Sequence, residues 1–157
     1  MPPGKYQILF ADDNENDRFL IERALREVSP GVVVKTVNDG QSAINYLAGK
    51  APYDDRNQYP FPDVLILDLT MPRVSGFEVL EWLEAEGLKG LQVMVLSGSK
   101  LADDRERAQS LGAQIYLVKH GQPSVTAQAV ARLLRDFNPS AEEAKPKSRS
   151  DDRTDKS

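Results

Sequence analysis

The chain has 157 residues, a hydrophobic content of 40%, a formal net charge of −4 and no cysteine. This length suits one domain with its own core, and the lack of cysteine excludes a disulfide framework and thiolate metal sites. The acidic balance disfavours nucleic-acid binding, which needs a basic surface. The first apolar run is too short for a signal peptide or a membrane span, so we expect a cytoplasmic protein without membrane insertion.

Strand and helix patterns alternate along the chain. Short apolar or β-branched runs predict buried strands at 6–11, 32–37, 64–67, 92–96 and 114–118. Helical spacing of apolar residues follows each strand, at 17–28, 40–47, 76–86, 100–111 and 123–137. Asn16 is predicted to cap the first helix, and Ser75 with Glu78 predicts a capping box for the third. The helix at 100–111 has the weakest apolar face, which predicts a mobile element.

Two segments depart from this alternation. Residues 48–62 carry three prolines and the aromatic side chains of Tyr53, Tyr59 and Phe61. They predict a long loop that packs on its own domain or contacts a partner. Residues 138–157 are charged and lack an apolar period, which predicts a disordered tail. We expect no output domain after it, so any signal must leave through the domain's own surface.

Polar side chains stand where the predicted strands end. Asp12 and Asp13 follow the first strand, and Asp68 follows the third. Ser97 ends the fourth strand, and Lys119 follows the fifth. Five successive β/α units predict a doubly wound parallel sheet with helices on both faces. A lone aspartate after a strand more often caps a loop, but a parallel sheet gathers all five side chains at one edge.

The residue types at this edge predict a metal site and an anion site. Clustered carboxylates repel one another, and a hard divalent cation with oxygen ligands, Mg²⁺ above all, relieves that repulsion. Lys119 supplies an opposite charge, and together with Ser97 it offers hydrogen-bond donors to an incoming anion.

These residues resemble the receiver domain of a two-component response regulator. The resemblance rests on the acidic pair, on Asp68 with Met71-Pro72 and Gly76 after it, and on the positions of Ser97 and Lys119. It covers about residues 5–137, with 138–157 as the charged tail. It implies a single flavodoxin-like α/β domain, (βα)5, with a five-stranded parallel sheet in the order 2-1-3-4-5.

The resemblance also implies a role for each residue. Asp68 would be the phosphoacceptor, and Ser97 and Lys119 would bind the phosphoryl oxygens. Ser97 would act as a switch together with Tyr116, which fits the aromatic switch position and would turn inward on phosphorylation. The implied Mg²⁺ ligands are Asp12, Asp13, Asp68 and the backbone carbonyl of Thr70. The domain would not be an enzyme in the usual sense, although it would help to catalyse its own phosphorylation and dephosphorylation.

The implied function is that of a single-domain response regulator. A sensor histidine kinase or a phosphotransfer protein would supply the phosphoryl group, and the signal would pass through protein contacts, a homodimer among them. The long loop before the third strand and the expected lack of an output domain resemble regulators paired with phytochromes.

One position departs from the family pattern. Most receivers have a cis proline after the lysine, whereas this chain has His120. A cis bond before a residue other than proline costs about 3–4 kcal/mol, so we expect a trans peptide and a surface-loop role for this histidine.

Three other functions compete with phosphoryl transfer. A degenerate receiver would bind partners without being phosphorylated. A haloacid-dehalogenase-like phosphatase needs a second aspartate two residues after Asp68, where this chain has Thr70. A flavodoxin-like nucleotide binder needs a Ser-, Thr- or Gly-rich first loop, whereas the acidic residues 12–15 would repel phosphate.

Overall fold

The structure is a computed structural model that describes residues 7–88 and 90–136, apart from the side chains of residues 28 and 136. The expectations for residues 5, 6 and 137 and for the tail 138–157 lie outside this range. Strands and helices alternate through it as predicted: β1 (Gln7–Ala11), α1 (Glu15–Val28), β2 (Val33–Val37), α2 (Gly40–Ala48), β3 (Val64–Leu67), α3 (Gly76–Glu86), β4 (Gln92–Ser97), α4 (Ala102–Ser110), β5 (Ile115–Val118) and α5 (Pro123–Asp136).

The five strands form one parallel sheet in the order β2-β1-β3-β4-β5, which confirms the predicted topology. Neighbouring side chains on β1 enter different cores. Leu9 packs in a cluster with residues of α2 and α3, whereas Phe10 packs in a second cluster with residues of α1 and α5. The sheet is therefore covered on both faces, and all four residues of β3 are fully buried.

Helix starts follow the local sequence, with one correction. Asn14, not Asn16, caps α1, because its side-chain oxygen accepts a hydrogen bond from the N–H of Asp17 at 2.9 Å. A capping oxygen reaches the N–H group two or three residues ahead, so Asn14 starts the helix two residues earlier than predicted. The capping box of Ser75 and Glu78 is present at the start of α3, as predicted.

Helix α4 is weakly attached to the domain, as its weak apolar face predicts. It is shorter than the predicted 100–111, and Leu101, at the N-cap position before it, provides no side-chain hydrogen bond to its start. Ala108 is the one buried residue within the helix, all of which is described.

No helix among the described residues is long and apolar enough to cross a membrane.

The loop between α2 and β3 packs on its own domain, the first of the two alternatives predicted for it. The rings of Tyr53 and Tyr59 lie 5.2 Å apart, and both contact the ring of Tyr46 on α2 at 5.1 and 5.8 Å between centroids. The hydroxyl of Tyr46 donates to the carbonyl of Pro60 at 3.1 Å. These contacts attach the loop to the last turn of α2.

Arg56 fastens the loop to the helix end. Its guanidinium donates to the carbonyl oxygens of Tyr46 at 2.9 Å, Leu47 at 3.0 Å and Tyr59 at 3.1 Å. The last carbonyls of a helix lack partners within the helix, and a charged donor from the loop satisfies two of them here.

We predict that Arg56→Ala lowers the free energy of unfolding by about 2–3 kcal/mol, because hydrogen bonds to charged groups contribute more than neutral ones. Urea unfolding measures the change. The matched control is Arg23→Ala, which removes an exposed pair with Glu27 at 3.4 Å and should cost less than about 0.5 kcal/mol. Equal losses in the two variants would contradict the role given to Arg56.

Candidate functional site

Backbone hydrogen bonds carry the strand pairing one residue past the strand ends. The N–H of Asp12 donates to Val37 at 3.1 Å, and the N–H of Asp68 donates to Ala11 at 3.0 Å. The N–H of Lys119 donates to the carbonyl of Ser97 at 2.7 Å, on the other side of the sheet's centre. The predicted site residues therefore meet at the carboxyl edge of the sheet.

Three carboxylates lie together at this edge. One oxygen of each of Asp12, Asp13 and Asp68 lies within 4.8 Å of the other two. Asp12 and Asp68 are buried, whereas Asp13 is exposed. The backbone N–H of Asn14 donates to Asp12 Oδ1 at 2.9 Å, and that of Thr70 donates to Asp68 Oδ1 at 3.2 Å. Each buried carboxylate is thus fixed by the loop that follows its own strand.

The ammonium group of Lys119 lies among three carboxylates. Nζ is 2.8 Å from Asp12 Oδ2, 3.2 Å from Asp17 Oδ2 and 3.4 Å from Asp68 Oδ2. Asp17 was not predicted as a site residue. Its position in the sequence could have revealed it. Asp17 lies in the first turn of the helix that follows Asp12 and Asp13, and such a turn borders the carboxyl edge of the sheet.

Burial and the opposite charge nearby act in opposite directions on the pKa values of Asp68 and Lys119. Burial raises the pKa of Asp68 from 3.8 to about 6, although the neighbouring Lys119 charge opposes the rise and the Asp12 charge adds to it. Burial alone would lower the pKa of Lys119, but its close contact with Asp12 and the charge of Asp68 outweigh burial and raise that pKa. The lysine therefore stays charged.

The cluster suits a divalent cation. Asp12 Oδ2 is buried and lies 2.8 Å from Lys119 Nζ, an ammonium group that it shares with Asp17 and Asp68. One positive charge does not balance the neighbouring carboxylates, and a hard cation that takes oxygen ligands would offset the remaining negative charge. The residues present at the carboxyl edge thus fit a metal ion.

Ser97 and Tyr116 meet through a residue that sequence reasoning missed. Ser97 Oγ accepts from the N–H of Ser99 at 3.1 Å, and the hydroxyl of Tyr116 donates to the carbonyl of Ser99 at 3.0 Å. The Ser99 side chain in turn donates to Asp104 of α4 at 2.5 Å. Tyr116 is buried and already points inward, with the Arg105 guanidinium 4.8 Å from the centre of its ring.

His120 occupies a trans peptide, as predicted, since the cis bond among the described residues is Ala51–Pro52. Its backbone N–H donates to the buried hydroxyl of Thr126 at 2.7 Å. A proline has no N–H to donate, so Thr126 gives a physical reason for the departure from the family pattern. The His120 side chain is exposed, in agreement with a surface-loop position.

Gly76 allows the start of α3 to approach the site. A Cβ atom at this position would overlap the backbone of Asp68 and Leu69. The glycine of the predicted motif is therefore required by close backbone contact behind Asp68.

We predict that Asp68→Asn stabilises the fold in buffer free of divalent cations at pH 7.5. The folded wild type holds a proton on Asp68 up to about pH 6, whereas the unfolded chain releases it near 3.8, so wild-type stability falls as the pH rises from about 4 to about 6. The loss is at most about 3 kcal/mol, and the amide avoids it. Urea unfolding at pH 4 and 7.5 measures the difference between the variants.

The matched control for this prediction is Asp13→Asn, which changes an exposed member of the same cluster and should stabilise less. At pH 4 the gain from Asp68→Asn should largely disappear. A variant no more stable than the wild type at pH 7.5 would show that Asp68 carries no burial penalty.

Comparisons with known proteins agree with this geometry. Residues 8–131 match the response regulator receiver domain. The chain is 33% identical over 113 residues, 71% of this chain and 70% of the relative, to the probable methanogenesis regulatory protein FilR2 of Methanothrix harundinacea. It also resembles the phosphorylated cyanobacterial phytochrome response regulator RcpA, with 30% identity, a TM-score of 0.78 and coverage of 91% of this chain and 99% of that one.

A further solved structure is the Mn²⁺-bound form of the response regulator Rcp1, with 26% identity, a TM-score of 0.75 and coverage of 84% of this chain and 94% of that one. The family match extends over most of the described residues and includes every strand end that carries a site residue. The chain therefore belongs to the family of response regulator receiver domains.

Proposed function

We propose that Asp68 accepts a phosphoryl group, in the cytoplasm, from a phosphohistidine on a sensor histidine kinase or a phosphotransfer protein. The observation that carries this proposal is the position of the Asp68 carboxylate, which is buried at the carboxyl edge of the sheet with Lys119 Nζ 3.4 Å from Oδ2. Membership of the receiver family supports the same residue as phosphoacceptor.

The transfer forms a bond between an Asp68 carboxylate oxygen and phosphorus while the bond between phosphorus and the imidazole nitrogen breaks. The electron pair of that bond stays on the imidazole. Negative charge then spreads over the phosphoryl oxygens, and the fixed positive charge of Lys119 stabilises it. The hydroxyl of Ser97, the last residue of β4, supplies a further donor once it turns from Ser99. The same groups assist the later hydrolysis of the acyl phosphate, so the chain helps to catalyse both reactions without being an enzyme in the usual sense.

The metal in this proposal is Mg²⁺, with Asp12, Asp13, Asp68 and the backbone carbonyl of Thr70 as ligands. The proximity of the three carboxylates, two of them buried, supports it. The Mn²⁺ in the structure of Rcp1 is consistent with a divalent cation in a related chain. Such a cation offsets negative charge on the carboxylates and on the incoming phosphoryl group.

The output in this proposal runs through Ser97 and Tyr116. When Ser97 turns toward the phosphoryl group, its oxygen leaves the N–H of Ser99, and Ser99 also holds Tyr116 and Asp104 of α4. A change at Asp68 therefore reaches the weakly anchored helix α4 in three contacts.

A phytochrome-type kinase is the proposed phosphodonor, in line with the description of RcpA. The proposed partner is a second copy of the chain, on the face formed by residues 100–111, Tyr116 and α5.

We predict that Asp68→Asn abolishes labelling by acetyl phosphate in Mg²⁺, because an amide cannot form the acyl phosphate. Intact-mass spectrometry should show one phosphoryl group on the wild type and none on the variant. Asp54→Asn changes an exposed loop carboxylate and should label like the wild type. A wild type that takes no label would favour the degenerate receiver, and a labelled Asp68→Asn would show another acceptor.

We predict that beryllofluoride with Mg²⁺ promotes self-association of the wild type and that Tyr116→Ala abolishes this response. Sedimentation velocity with and without beryllofluoride measures it. Phe61→Ala, in the loop between α2 and β3, is the control, because Phe61 is exposed and is not among the contacts that join Ser97, Ser99 and Tyr116. Loss of association in Phe61→Ala alone would move the interface to the loop.

A further inference from the structure

Hydrogen bonds attach the start of α1 to Asp12, a member of the carboxylate cluster. The N–H of Asn14 donates to Asp12 Oδ1 at 2.9 Å, and Asn14 Oδ1 accepts from the N–H of Asp17 at 2.9 Å. Arg18 reaches back to the carbonyl of Asp12 at 2.8 Å. The position of Asp17 is therefore fixed with respect to Asp12 by contacts on both sides of it in the sequence.

From this position Asp17 reaches across the site to β5. Its Oδ2 accepts a hydrogen bond from Lys119 Nζ at 3.2 Å, between residues 102 positions apart in the chain. Both side chains are largely shielded, with 19% and 16% of their surfaces exposed. A charge-assisted bond in such a setting is screened less than a surface ion pair and fixes the direction of the ammonium group.

The other two carboxylates that contact Lys119 have a second task. Asp12 and Asp68 belong to the cluster that fits a divalent cation, and Asp17 does not. A cation held by Asp12 and Asp68 would take up their negative charge and would leave Asp17 as the carboxylate that holds Lys119.

We propose that Asp17 is a positioning residue for phosphoryl transfer, which keeps the Lys119 ammonium beside Asp68. The proposal rests on the proposed function and adds a residue to it. Lysine carries its charge on a flexible four-carbon stem, so an ammonium without a fixed partner spends less time where the phosphoryl charge develops. Asp17 acts by orientation alone, since it does not contact the reacting atoms.

The first test compares phosphorylation rates with acetyl phosphate at saturating Mg²⁺. Asp17→Asn should be slower by about five- to tenfold, because the neutral side chain no longer holds the ammonium in place. Glu15→Gln is the matched control: it removes an exposed carboxylate from the same first turn and should change the rate less than about twofold. Asp17→Glu keeps the charge and should recover most of the rate. Equal slowing in Asp17→Asn and Glu15→Gln would overturn the proposal.

The second test needs neither metal nor phosphodonor. Urea midpoints of the wild type, Asp17→Asn, Lys119→Gln and the double variant form a cycle in metal-free buffer, and the effects should be non-additive if the two side chains interact. Additive effects would overturn the Asp17 contact and leave the proposed function intact. A wild type that takes no label from acetyl phosphate, with a non-additive cycle, would overturn the proposed function and the positioning role while retaining the contact.

Discussion

A single ammonium group allows the carboxyl edge of this sheet to hold buried negative charge. Carboxylates removed from water and placed beside one another are strongly unfavourable unless a positive charge or hydrogen bonds compensate them. Lys119 Nζ lies within 3.4 Å of Asp12, Asp17 and Asp68, and the high pKa of the lysine keeps the compensation in place. The compensation is incomplete, since one ammonium group faces three carboxylates and the pKa of Asp68 is still raised. That remaining imbalance is what makes the edge receptive to a cation.

The parallel sheet brings these charges together from distant parts of the chain. Hydrogen bonds from Asp12, Asp68 and Lys119 extend the ladders by one residue beyond the apolar strands. Each polar side chain is therefore anchored by a buried strand on one side and by a loop on the other. Rigid placement of this kind suits phosphoryl transfer, in which catalysis consists mainly of position and charge.

Much of this arrangement could be predicted from the sequence, because apolar runs fix the strands and the topology of parallel β/α units fixes where their ends meet. The convergence of Asp12, Asp68 and Lys119 follows from those two rules, whereas the strand order was implied by the family resemblance. Asp17 was expected in the first turn of α1 but not at the site, because its contact with Lys119 depends on side-chain rotamers that leave no pattern in the sequence. The inward Tyr116 and its bond to Ser99 depend on side-chain rotamers and on the loop path, neither of which has a periodic signal in the sequence.

The loop fastened by Arg56 has a consequence for the solubility of the fold. Strand β2 is at the edge of the sheet, and an open edge strand is a template for pairing with another chain. Tyr59, held in place by the loop, lies against Lys35 of β2, with Nζ 5.7 Å from the centre of the ring. A charged side chain on an edge strand and a bulky loop beside it both hinder the approach of a second strand. The loop between α2 and β3 is thus expected to hinder edge-to-edge pairing at β2.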